Sequence, residues 1–147
     1  MAQIVVGQTV GVTGSAAITV KESMQGASLY LDFVNAQGGV GGQKIELVVL
    51  DDKFDTKLTL ENARTLIEKH GAIALFMTRG TPHTQGIVPL LDEAGVVLVG
   101  PSTGAMALHK PVSRHVFNVR APYQLEVEKA ITHLNTLGVE RIGVIHV

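Results

Sequence analysis

The stretch Ala72-Ile73-Ala74-Leu75-Phe76-Met77-Thr78-Arg79-Gly80-Thr81-Pro82 runs from an unbroken apolar segment into a helix-opening pair. Thr is a favoured N-cap, and Pro suits the first helical position, where its missing N–H costs nothing. The segment therefore predicts a strand over 72–77 and a helix capped by Thr81 that runs to Gly95. A strand-to-helix junction leaves backbone N–H groups free and carries partial positive charge, which favours an anion. The next apolar run, Val96 to Val99, ends in a second turn of small and hydroxylated residues, Gly100-Pro101-Ser102-Thr103-Gly104. Two such strand ends make a site for a small carboxylate or another polar solute.

Outward from this stretch, short apolar runs alternate with helical stripes, the signature of βα units stacked on a parallel sheet. Ile4 to Val10 reads as a first strand. Val20, Met24, Ala27, Leu31 and Val34 then recur at spacings of three and four, one helical face closed by Gly38-Gly39. A second strand, Ile45 to Leu50, ends at Asp51-Asp52. Asp55 or Thr56 caps a second helix with Leu60, Ala63, Leu66 and Ile67 on its inner face. Pro89 falls inside the third helix, where a kink is expected. After strand four comes a helical turn near Ala105 to Leu108, then a fifth strand, Val116 to Val119, ended by Pro122. A last helix carries Val127, Ala130, Ile131, Leu134 and Leu137, and Ile142 to Val147 reads as a further strand. The fold class is α/β, a mostly parallel sheet with helices on both faces.

Composition narrows the function. The chain has 147 residues, formal net charge −1 and 46% hydrophobic residues, with a mean hydropathy of +0.28. That supports a substantial core and gives no electrostatic footprint for nucleic acid. Aromatics are 4% and Trp is absent, which disfavours base-stacking platforms. No apolar stretch approaches the roughly 20 residues of a membrane-spanning helix. There is no Cys, so thiol chemistry is excluded.

Metal and catalytic patterns are equally thin. The His residues, at 70, 83, 109, 115, 133 and 146, show no metal-ligand spacing on one element. Ser15, Ser102 and Ser113 lack the nucleophile-elbow context of a hydrolase. Gly38 to Gly42 precedes a strand rather than a helix, so it reads as a turn and not a phosphate cradle. Asp51-Asp52 reads as capping and loop solvation. The residues around Gly7 to Thr9 and Gly11 to Gly14 lie at the same sheet edge as the two turns.

Taken in order, several segments resemble the type I periplasmic solute-binding proteins, in particular the branched-chain amino-acid (Leu/Ile/Val) binding family of ABC transporters. They are Gly14 with Gly26-Ala27, Asn35 to Gly42, Asp51 to Asp55, Glu93 to Val96, and Phe117 to Pro122. The resemblance implies a two-lobed periplasmic protein without cofactor or catalysis that closes on an amino acid or small organic or aromatic acid and hands it to a membrane permease. Residues 1–121 would form the ligand-binding lobe, incomplete as given, and 122–147 the start of a second. By position, Thr81 corresponds to that family's hydroxyl residue after strand three, and Ser102, Thr103 and Gly104 to its small-residue turn after strand four; Gly80, beside Thr81, is a further candidate for the site.

Arg79 and His83 flank this site, where a cation would suit an acid lacking an amino group. The loop Ser15-Ala16-Ala17-Ile18-Thr19 lacks the aromatic often found there in the family, so both ligand types stay open. Two other classes also fit an α/β lobe: a ligand-sensing module of a receptor or transcription regulator, and a small-molecule enzyme needing an acid–base pair at the pocket. The chain alone is expected to bind weakly or not at all, and its uncovered terminal strand, Ile142 to Val147, to pair with another copy or reorganise.

Overall fold

A computed structural model describes residues 3–145. Its elements follow the alternation of the sequence: β1 Ile4–Val10, α1 Ala17–Ala36, β2 Ile45–Asp51, α2 Thr56–Glu68, β3 Ala74–Phe76, α3 Thr81–Ala94, β4 Val97–Val99, a 3₁₀ turn Met106–Leu108, β5 Val116–Phe117 and α4 Tyr123–Thr136. The five strands pair in parallel in the order β2-β1-β3-β4-β5. The order turns back between β1 and β3. In open α/β sheets a ligand sits at such a switch, outside the carboxyl ends of the strands.

One core joins Ala63 and Leu66 of α2, Ile87, Leu90 and Leu91 of α3, and the sheet residues Leu75 and Leu98. A smaller one joins Val10 and Val49 of the sheet to Ala16, Val20 and Met24 of α1 and its approach. The predicted stripe of α1 is the covered one: Val20 is buried and Met24, Ala27, Leu31 and Val34 are half-buried. On α2 the sequence places Leu60 inward, but Leu60 is exposed and Thr59 is buried instead. The cause is polar: the Thr59 hydroxyl donates to the carboxylate of Asp52 at 3.0 Å.

Other boundaries shift too. β3 is shorter than predicted because Met77 sits at φ 50, outside strand geometry. α3 continues past Pro89 to Ala94. Residues 142–145 form no strand, since no neighbouring strand pairs with them; 146 and 147 lie outside the described residues. α4 has no buried residue among those described.

Candidate functional site

The tips of β3 and β4 are joined beyond the strands themselves. Met77 N–H donates to Val99 O at 2.9 Å and Ser102 N–H to Thr78 O at 2.8 Å. Arg79 and Ser102 form an isolated parallel bridge. The two hydroxyl-rich turns are thus neighbours at the carboxyl edge of the sheet, beside the topological switch.

The helix start differs from the sequence expectation by one residue. Gly80, not Thr81, is the N-cap of α3, at φ 94, a value open to glycine. Thr81 is the first helical residue, and its hydroxyl is released from capping. It lies 2.7 Å from the Thr103 hydroxyl. Thr103 is fully buried, and its Oγ1 also lies 3.1 Å from the Tyr123 hydroxyl and accepts from Ala105 N–H at 3.3 Å. Gly104 is wrapped by the crossing segment: Tyr123 N–H donates to its carbonyl at 2.8 Å, and a Cβ there would come within 2.5 Å of Ala121 O and 2.9 Å of the Tyr123 ring.

The structure therefore brings together Thr81, Thr103 and Gly104, and adds Tyr123. Sequence reasoning passed over Tyr123; the one signal was a hydroxyl-bearing aromatic directly after Pro122. Arg120 lies 4.9 Å over the Tyr123 ring and makes a bidentate pair with Glu126, both bonds 2.7 Å.

The flanking cations divide. Arg79 is half-buried on the β3 tip and makes no ion pair among the described residues. His83 is 4% exposed and stacks on Phe54, with centroids 4.2 Å apart. A Cβ on Gly80 would lie 2.6 Å from its Nδ1, so the imidazole packs against the N-cap rather than standing open to solvent. Neither ring nitrogen has a protein partner.

The adjoining edge is held by two carboxylates. Asp51 accepts from both the hydroxyl and the N–H of Thr13 and from Lys53 N–H, at 2.6, 3.1 and 2.9 Å. Asp52, buried, accepts from Thr9, Thr59 and the N–H of Phe54. These side chains tie loops together rather than capping α2, a role that Asp55 fills by accepting from the N–H groups of Lys57 and Leu58. Thr9 and Gln8 are buried, so that part of β1 offers the edge no exposed side chain. Among the described residues no group of three or more His, Asp or Glu is placed to hold a metal ion.

This chain belongs to the periplasmic binding protein family, whose profile matches residues 3–147. It is 29% identical to an amino acid binding protein of Pseudomonas aeruginosa, covering 99% of this chain and 39% of that protein. A substrate-binding periplasmic protein from Ralstonia solanacearum superposes with a TM-score of 0.87 at 38% identity, over 96% of this chain and 40% of that one. The branched-chain amino acid transporter substrate binding protein LivJ from Streptococcus pneumoniae, in complex with isoleucine, gives 0.76 at 27% identity over 82% and 34%. The chain spans about two fifths of the length of the first two.

Proposed function

We propose that the chain provides one wall of a periplasmic solute-binding site for an ABC transporter, holding a small carboxylate-bearing solute, an amino acid or a small organic acid, at the joined tips of β3 and β4. Residues 1–121 form the ligand-binding lobe and 122–147 open the second. The observation that carries the reading is the Thr81–Thr103 hydroxyl pair, 2.7 Å apart at the start of α3. There a hydroxyl, unpaired helical N–H groups and the positive end of the helix converge, an environment suited to a carboxylate.

Gly80 keeps the backbone close to the solute, Ser102 and Gly104 shape the second tip, and Arg79 adds positive potential beside it. His83 supports the N-cap from behind. The isoleucine named with LivJ and the amino acid named with the Pseudomonas protein support this solute class. Function is by binding and lobe closure rather than by chemistry, and closure shifts an open–closed equilibrium that a permease can read.

Methyl-resolved NMR titration of the chain with L-isoleucine, L-leucine and benzoate tests the reading. Saturable shifts at the Thr81 and Thr103 methyls are expected, with a midpoint in the millimolar range because one wall makes only part of the contacts. Thr81→Val should weaken binding about tenfold, the loss of one hydrogen bond to a charged group. Shifts scattered over the surface, or unchanged by Thr81→Val, would overturn it.

A further inference from the structure

We propose that Tyr123 is a specificity-determining residue: through Thr103 its phenol sets the direction of a hydroxyl chain, so that Thr81 presents a proton outward and the wall selects a carboxylate over a hydrogen-bond donor. The inference rests on the site reading above and names what that site discriminates.

Hydrogen-bond capacity restricts how these hydroxyls can pair. A threonine hydroxyl has one proton and two lone pairs. Thr103 Oγ1 has three neighbours, the hydroxyls of Thr81 and Tyr123 and the N–H of Ala105, and is fully buried, so its capacity is spent within the protein. Ala105 N–H can only donate. One remaining neighbour must then donate to Thr103 and the other accept from it. If Tyr123 donates, Thr103 passes its proton to Thr81, and the Thr81 proton is left for an external acceptor. If Thr81 donates, it offers only lone pairs outward and suits an ammonium.

The phenol decides between these directions. Its oxygen lone pair is delocalised into the ring, which makes it a better donor and a poorer acceptor than an aliphatic hydroxyl, and its proton is far more acidic. The Arg120 guanidinium over the ring strengthens that bias. Hydrogen bonds in such a chain polarise one another, so the preference is transmitted to Thr81. Geometry fixes the phenol in place: its ring fills the space that a side chain at position 104 would occupy. Phenylalanine would fill the same space without directing the chain.

The test compares benzoate with benzamide, and L-isoleucine with L-isoleucinamide, by NMR titration of the Thr81 methyl in the wild-type chain and in Tyr123→Phe. The wild type should prefer each carboxylate, and Tyr123→Phe should shrink that preference about tenfold, one hydrogen bond's worth. Equal weakening of both members of a pair, with the ratio unchanged, would make Tyr123 merely structural and overturn the proposal. A second readout does not depend on that variant. The chain has two Tyr and no Trp, so in Tyr30→Phe the ultraviolet tyrosine spectrum reports Tyr123 alone. Benzamide absorbs in the same region, so the isoleucine pair is used there. A difference spectrum that saturates with L-isoleucine at the Thr81 midpoint, and is weaker with the amide, supports the relay. A silent spectrum while the Thr81 methyl shifts overturns it and leaves the binding site standing. No shift at Thr81 or Thr103 with any probe overturns the site itself, and the relay with it.

Discussion

Gly80 shows how one residue sets the geometry of the β3 tip. Its φ of 94 is accessible to glycine, and a Cβ would meet His83 Nδ1 at 2.6 Å and the Phe54 ring at 3.2 Å. Gly80→Ala should therefore destabilise the chain by about 1–3 kcal/mol, the range for overpacking and backbone strain together. Urea unfolding measures it, and an unchanged midpoint would show that the imidazole has room to move. The sequence marked this tripeptide as a helix start because Thr and Pro have local preferences. It could not show that a glycine would take the cap and release the Thr81 hydroxyl, because that depends on Thr103, which is 22 positions away. Tyr123 was missed for the same reason: its partners are Thr103 and Gly104, and no local pattern encodes that contact.

Among elements, legibility followed how far each one is governed by apolar periodicity. The α1 stripe was readable residue by residue because burial of Val20 and its successors is a matter of hydrophobic spacing. α2 was readable only in part, since Thr59 replaces Leu60 inside by bonding to a buried Asp52. The β1–α1 and β2–α2 loops meet through Asp51, whose carboxyl titrates below its ordinary 3.8 chiefly because the Thr13 hydroxyl donates to it; partial desolvation opposes this, and backbone N–H groups add to the lowering. A folded value below the unfolded one means stability that is present above 3.8 and is lost as pH falls through the folded value. Thermal stability should thus fall on acidification in that window, and Asp51→Asn should flatten part of the slope. A variant with the wild-type acid profile would remove Asp51 from the account. Asp55 and Glu126 are depressed in the same direction, by the backbone N–H groups of Leu58 and Lys57 and by Arg120 respectively, so the flattening should be partial.

For the molecule as a whole, the alternation of apolar runs and stripes was enough to give a parallel α/β sheet, but not its strand order. Order depends on which crossovers go left and right of β1, which no single segment records. The expected terminal strand did not form across 142–145, yet apolar residues remain open elsewhere: Leu29 and Phe33 on α1, Phe117 on β5, and Leu125, Val127 and Ile131 on α4. Exposed apolar surface on this scale favours association. Sedimentation velocity over a concentration series should show reversible self-association that weakens in Phe117→Ser. A single sedimenting species at every concentration would contradict this.

The cross-link from Ser102 to Thr78 has a mechanical consequence. Fastened past their ends, the two rims move as one stiff jaw, ready-shaped before any guest arrives. Little ordering entropy is then lost on this side when a solute is seated, and the toll of immobilisation falls on whatever surface closes over it. Slow hydrogen exchange at Ser102, unaltered by added solute, would be the mark of such a jaw.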